Sequence, residues 1–311
     1  MNTQSDGVPE SAMEAQGIAP AVVSRTRPLY WSVRRELWEN RSIYVAPLAV
    51  AGVTVFGYLI ALIHLPRHLQ AMMVRNPTTP RVAVEQPYDF AAGLVMGTAL
   101  IVAIFYCLDA LHGERRDRSI LFWKSMPVSD LNAVLAKALI PLLVLPLLSW
   151  GITVAEHWVM FVLNVTALVV KGQSPAALWA QLPLFHMELG LLYHLFTMHV
   201  LWHAPIYAYL IMVSGWARRA TFLWAFLPPL AISILEKILF NTAHFAHMIQ
   251  YRLAGDPALV ASTAGTFPFD EHMTHLSPIM FLATPSLWTG LVVAALFLYA
   301  AVQLRRCQGP I

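Results

Sequence analysis

Apolar residues in this chain come in runs too long for a soluble core. Six stretches are apolar almost without interruption: residues 44–65, 90–111, 138–170, 191–217, 220–240 and 287–304. About 20 residues at helical rise cross the hydrocarbon of a bilayer, so each run predicts a transmembrane helix. Pro141 and Pro146 fall inside the third run, and Pro228 with Pro229 inside the fifth, which predicts kinks at both places. Gly93 and Gly97 put two small residues one turn apart on the second run, a spacing that lets helices approach closely.

The polar stretches between these runs differ in kind. Residues 1–24 are small, polar and mildly acidic, without the basic start and apolar centre of a signal peptide, and predict a disordered cytosolic tail. After Pro28, Leu29, Val33 and Leu37 recur every fourth position while Arg34, Arg35 and Arg41 face elsewhere. That pattern predicts a basic amphipathic helix lying in the membrane interface. Pro66–Asp89 reads as a Pro-containing loop. Lys171–Gly190, with Trp179, Leu182, Leu184 and Phe185, reads as a segment on the membrane surface. Asn241–Pro285 is a large apolar-rich segment between the fifth and sixth spans, too long and greasy for a free loop. The expected fold is therefore an all-α polytopic membrane protein of six transmembrane helices. It has a tail (1–24), one membrane domain (25–311), an N-terminal interfacial helix and a large outer segment.

Composition agrees. The chain is 58% hydrophobic and 12% charged, where soluble domains carry roughly 25% charged residues. A net charge of +3 gives no reason to expect a nucleic-acid partner. Two cysteines, Cys107 and Cys307, cannot form a disulfide framework. The placement of Lys and Arg is more telling than their sum. With the N-terminus inside, Arg25, Arg27, Arg34, Arg35, Arg41, Arg115, Arg116, Arg118, Lys124, Lys137, Arg218, Arg219, Arg305 and Arg306 share the cytosolic side. The other side holds only Arg67, Arg75, Arg81, Lys171 and Arg252, with Lys237 left inside a span. The positive-inside rule then puts both termini in the cytosol.

Familiar catalytic motifs are missing. The Gly52 to Gly57 spacing is followed by Tyr58-Leu59, where a phosphate-binding loop needs Lys-Ser/Thr, and it lies within a span. His-Glu-x-x-His, Gly-x-Ser-x-Gly and Cys-x-x-Cys do not occur. Histidine offers one opening: His199 and His203 are four apart on the fourth run, with His194 about a turn earlier and Glu188 nearby. Four-apart histidines can share a metal, but a clear third ligand is missing, and core histidines bonded to neighbouring helices fit as well. Glu156-His157 and Glu236-Lys237 place ionisable groups within the third and fifth spans, toward their outer ends. Such groups usually face a bundle interior or an aqueous cavity, so Glu156 and Lys237 are candidates for a substrate path. Structural interhelical pairing and snorkelling are the bland alternatives.

The densest charge lies between the second and third runs. Glu114, Arg115, Arg116, Asp117, Arg118 and Lys124 flank a short apolar face of Ile120, Leu121, Phe122 and Trp123, and Pro127, Ser129 and Asp130 close the segment. Each charge would cost on the order of 3 kcal/mol inside lipid, so the segment must stand at a membrane face. The stretch Glu114–Ser129, ERRDRSILFWKSMPVS, resembles the cytosolic segment of type-2 ATP-binding-cassette exporter permeases. There a similar "E-R … K-S-x-P-V-S" stretch follows the second span and forms a coupling helix docked on a separate ATPase. Six spans with both ends inside match the same family. The resemblance implies ATPase coupling through Glu114, Arg115, Arg118, Phe122, Trp123, Lys124 and Pro127. It implies no cofactor on this chain, with ATP and Mg on two copies of an ATPase subunit, and a second permease protomer, as in a homodimer. It also implies a bacterial cytoplasmic (inner) membrane. Substrate and direction are not implied. Alternatives from other classes are a membrane-embedded metalloenzyme built on His194, His199 and His203, and a non-transporting ATPase-coupled sensor.

Overall fold

The computed structural model of the chain describes residues 26–75, 80–125, 128–170, 172, 176, 178, 182–254 and 281–309. Among them there are helices and no strands. The helices are α1 (Thr26–Glu39), α2 (Ser42–Arg75), α3 (Pro80–Asp109), α4 (His112–Arg116), α5 (Ser119–Ser125), α6 (Asp130–Leu139), α7 (Leu145–Val170), α8 (Leu184–His194), α9 (Ala204–Trp216), α10 (Thr221–Phe240), α11 (His244–Ala254) and α12 (Pro285–Cys307). Two wider π-helical segments, Ile140–Val144 and Leu195–Trp202, join α6 to α7 and α8 to α9.

Five continuous stretches are long and apolar enough to cross a membrane: Ser42–Leu62, Glu85–Arg116, Asp130–Val170, Thr221–Phe240 and Pro285–Cys307. A sixth exists if Leu184–Trp202 and Ala204–Trp216, bent by 46° at His203, make one span. The chain is thus a helical membrane protein. Its outward faces are apolar because lipid, unlike water, imposes no penalty on them; α10, for example, presents Phe222, Leu227, Leu230 and Ile238 outward.

Two expectations need correction. Pro66–Asp89 is not one loop: α2 runs on to Arg75 and α3 begins at Pro80, with Pro87 inside it. Pro80 opens its helix where a missing N–H is harmless. Pro141 sits in the first π-helical segment, which accommodates the lost backbone bond by widening one turn. Finally, the fourth run starts earlier, at Leu184, inside the stretch expected on the membrane surface. The tail 1–24 and most of Asn241–Pro285 lie outside the described residues; α11 is the described part of the latter.

The central core is built where α3, α6, the first π-helical segment, α9 and α12 meet, around Cys107, Val134, Ile140, Ile211 and Ala301. The packing of α9 on α12 is the most extensive helix pair. Small residues make this possible. A Cβ on Gly215 would come 3.1 Å from Leu111 Cδ1 and 3.6 Å from Leu304 Cβ. At the other end, α11 is pinned at the start of α12. Arg252 donates to the Ser286 carbonyl and stacks 4.6 Å from the Trp202 ring, while Trp202 Nε1 donates to the Tyr251 carbonyl at 3.3 Å. The guanidinium fills the notch over Gly290, within 2.7 Å of where a Cβ would stand.

Gly215→Val should overpack the α3–α9–α12 junction and cost about 1–3 kcal/mol. A lower thermal midpoint of the detergent-purified chain, by static light scattering or tryptophan emission, checks this; an unchanged midpoint contradicts it.

Candidate functional site

One end of the bundle collects α1, α4, α5 and the C-terminus of α12, and with them most of the basic residues. Here six ionisable side chains from four helices close into one buried cluster. Glu36 of α1 accepts from Lys137 Nζ of α6 at 2.9 Å and from Arg35 Nη2 at 2.6 Å. Its second oxygen accepts from the Tyr106 hydroxyl at 2.9 Å. Glu114 of α4 meets Arg35 at 3.1 Å and Lys137 at 3.2 Å through one oxygen, and Arg305 of α12 at 3.4 Å through the other. Arg305 also bonds Asp130 at the start of α6. Three carboxylates (Glu36, Glu114, Asp130) thus face three cations (Arg35, Lys137, Arg305). Glu36, Lys137 and Arg305 are almost wholly buried, at 1%, 3% and 4% exposure. Isolated, each would cost several kcal/mol to desolvate; within the set of six, three negative charges balance three positive ones and every member is ion-paired.

The predicted coupling segment divides into an anchored half and a presented half. Glu114 and Arg115 are buried. Arg115 Nη1 donates to the carbonyls of Gly215 at 2.6 Å and Ala217 at 3.3 Å, and its Nε to Gly309 at 3.3 Å. It therefore satisfies the carbonyls left free at the end of α9, where a cation is also favoured by the helix dipole. The Leu111 N–H donates to Ser214 Oγ at 3.2 Å, closing the same junction. Arg118 is exposed and takes a left-handed φ of 57°, turning the chain from α4 into α5. On α5, Ile120 is buried while Leu121 and Phe122 are 58% and 59% exposed. Lys124 Nζ reaches the carbonyls of Gln308 at 3.1 Å and Arg306 at 3.4 Å, tying α5 to the end of α12. The Trp123 side chain and Pro127 lie outside the described residues.

Glu156 and His157 point to different neighbours. Glu156 of α7 is 3% exposed, its Oε1 bonded by the Thr54 hydroxyl of α2 and its Oε2 without a hydrogen-bond partner. It lies in a groove of about 550 Å³ between α2 and α7. Thr54 stands within the apolar run Ser42–Leu62 and not at its end. His157 instead bridges α8 and α3: Nδ1 lies 2.6 Å from Glu188 Oε1 and Nε2 3.0 Å from the Tyr88 carbonyl. Asn164 adds bonds to the Tyr58 and Tyr88 hydroxyls. Glu188 thus belongs to His157, not to the later histidines.

Lys237 is exposed on α10, a helix that packs on α3, α9 and α11, and it does not join Glu156 on α7. Its neighbour Glu236 works locally, accepting from the N–H groups of His244 at 2.7 Å and Phe245 at 2.8 Å and so capping α11. His199 stacks between His194 and His203, with ring centroids 6.1 and 5.6 Å apart. His203 is taken up by the Met198 and Leu253 carbonyls. Among the described residues no three His, Cys, Asp or Glu side chains converge on a possible metal ion. Sequence reading missed Lys137 and Arg305 as partners of Glu114, and Glu36 as the second carboxylate sharing Lys137. The available signal was a base set among apolar neighbours, Lys137 between Ala136 and Ala138.

Burial by itself raises the Glu36 carboxyl, but Lys137 and Arg35 outweigh it and hold the group below its ordinary value of 4.5. A depressed carboxyl stabilises the fold above its unfolded value, and that contribution is lost as pH falls through the folded one. The thermal midpoint should therefore be insensitive to this group from neutrality to about pH 5 and should fall below about pH 4.5. Glu36→Gln should flatten that acid limb; an equally steep limb in the variant contradicts the assignment. Lys137→Met leaves Glu36 and Glu114 short of a cation and should cost about 3–5 kcal/mol. Lys137→Met with Glu36→Gln should recover part of the loss, which a double-mutant cycle in thermal unfolding measures.

No family model, no curated protein and no solved structure matches this chain, so its function is argued from the geometry above.

Proposed function

We propose that this chain is the membrane-spanning subunit of an ATP-driven exporter, a permease of the type-2 ATP-binding-cassette kind worked by a separate ATPase. The observation that carries the reading is α5. It is a short helix at the basic end that offers Leu121 and Phe122 outward while its neighbours Glu114 and Arg115 are locked into the bundle. An exposed apolar pair on a rigid mount is what a partner's pocket can grip, and the Glu114–Ser129 resemblance names the partner as an ATPase. The Lys and Arg bias supports a cytosolic position for this end, with both termini inside, and the resemblance implies six spans in a bacterial inner membrane. The aromatic outer face of α1 supports an interfacial helix: Tyr30, Trp31 and Trp38 are exposed and Arg34 stacks on both indoles, at 5.1 and 4.7 Å.

In this reading the chain does no covalent chemistry. ATP and Mg bind two copies of the ATPase, whose closure pulls on α5. The pull passes through Glu114 into α1, α6 and α12, and through Arg115 into α9. Two permease protomers rock against each other, and the path between them opens; Glu156 marks its candidate lining. Binding energy moves a two-state element.

Recovery of the ATPase with the tagged permease tests the reading. Phe122→Ala with Trp123→Ala should weaken association by roughly tenfold or more, the size of losing a buried aromatic anchor. Arg118→Ala, an exposed charge, should act more mildly and mainly at low salt. Unchanged recovery with the double aromatic variant removes the coupling assignment. Orientation has its own test: a cysteine within residues 255–270 should react with an impermeant thiol reagent from outside and one at Arg219 should not. Labelling at Arg219 from outside reverses the topology.

A further inference from the structure

We propose that the groove between α2 and α7 binds an amphiphilic ammonium ion, its alkyl body lying along the groove and its N–H meeting Glu156 Oε2. The groove's volume of about 550 Å³ falls in the usual range of roughly 300–1,000 Å³ for small-molecule sites. Its walls are apolar, with Leu48 and Val55 from α2 and Leu148 and Ile152 from α7, and Glu156 is its one ionisable lining residue. Space is left over the two helices by glycine: a Cβ on Gly52 or Gly151 would meet nothing within 4 Å. Both glycines and Leu48 are exposed, so the groove opens sideways along the bundle surface and an apolar molecule can enter from the bilayer.

The carboxylate selects the head group. Glu156 is 97% buried, counted from its 3% exposure, and Thr54 satisfies only one of its oxygens. Among the described residues it makes no ion pair, unlike Glu36 and Glu114. A buried carboxylate oxygen without a donor is costly, and a ligand that donates there recovers the cost. A fatty acid would set like charges together, and a hydrocarbon or an apolar helix of a second copy would leave Oε2 unmet. A protonated amine supplies both the donor and the opposite charge, in the strongest class of hydrogen bond. This deepens the substrate-path reading of Glu156 and takes its biological meaning from that reading. Binding, however, is a property of the chain alone and is measured without the ATPase, so loss of one claim is distinguishable from loss of the other.

The test uses the full chain in phosphatidylcholine nanodiscs, whose lipid head group carries no N–H, and a dodecylammonium photolabel with a diazirine on its alkyl chain. Saturable labelling is expected within residues 48–55 and 147–159, displaced by dodecylammonium and spared by dodecanoate and dodecanol. Glu156→Gln keeps the side chain's volume and should raise the half-saturating concentration by roughly tenfold or more. Gly151→Leu should fill the groove and block labelling, and Gly52→Leu serves the same purpose should the first fail to fold. Labelling confined to other segments, equal displacement by dodecanol, or an unchanged Glu156→Gln curve would each overturn the proposal. So would absence of saturable labelling in the wild-type chain, the result expected if a second copy covers the groove.

Discussion

Charge balance inside the basic end is the constraint from which the rest of the architecture follows. Glu36, Glu114 and Asp130 are compensated by Arg35, Lys137 and Arg305, and these residues come from α1, α4, α6 and α12. Hydrophobic contacts alone would tolerate small slips of one helix against another. A slip of α1 by one residue would instead leave Lys137 and Tyr106 without the Glu36 carboxylate, with a penalty of several kcal/mol in a low dielectric. The cluster therefore sets register more than it adds stability, since apolar residues of similar volume often do as well energetically. Its second consequence is mechanical. Four helices that share one neutral set of charges are displaced together or not at all.

Arg115 extends the same logic to α9. Its guanidinium serves the carbonyls of Gly215 and Ala217, which lie in a buried place where that helix ends. Gly215 is small enough for Leu111 to approach, so polar and steric locks coincide at one junction. Farther along, the two π-helical segments lie against each other, the first holding Pro141 and the second His199. Wider turns of this kind cost backbone stability and are often found where function needs an irregular wall. Beside them the His157, Glu188, Tyr88 and Asn164 network binds α3, α7 and α8 by hydrogen bonds in place of hydrophobic force, which lipid removes as a driver of helix association.

Hydropathy made the membrane class and most span boundaries legible, because lipid allows few alternatives to an apolar helix. Where composition mixed apolar and polar residues, as in Pro66–Asp89, helix continuation from both sides outweighed the prolines. The charge pattern did not show which residues of the segment are buried and which are exposed. Glu114 and Arg115 look like Arg116 and Asp117 in one dimension, yet the first two face the bundle and the last two face away. Only the positions of Glu36, Lys137 and Arg305, distant in sequence, decide which charges can be buried. The same blindness applied to Glu156-His157, where adjacent residues on a helix point about 100° apart and so meet different neighbours.

The buried carboxylates differ in one respect that separates structural from binding roles. Glu36 and Glu114 each meet more than one cation, and Glu188 holds His157. Every one of them can be understood as part of how the chain folds. Glu156 has a hydroxyl for one oxygen and nothing for the other, in a groove that glycine leaves open on both sides. Glu188 Oε2 also lacks a donor, but Glu188 is held by His157, whereas Glu156 has neither a cation nor a histidine and faces the groove. Replacing Glu156 by an apolar residue would remove an unmet polar oxygen from the α2–α7 groove. A carboxylate kept there at that cost makes physical sense when its missing donor arrives from outside the chain.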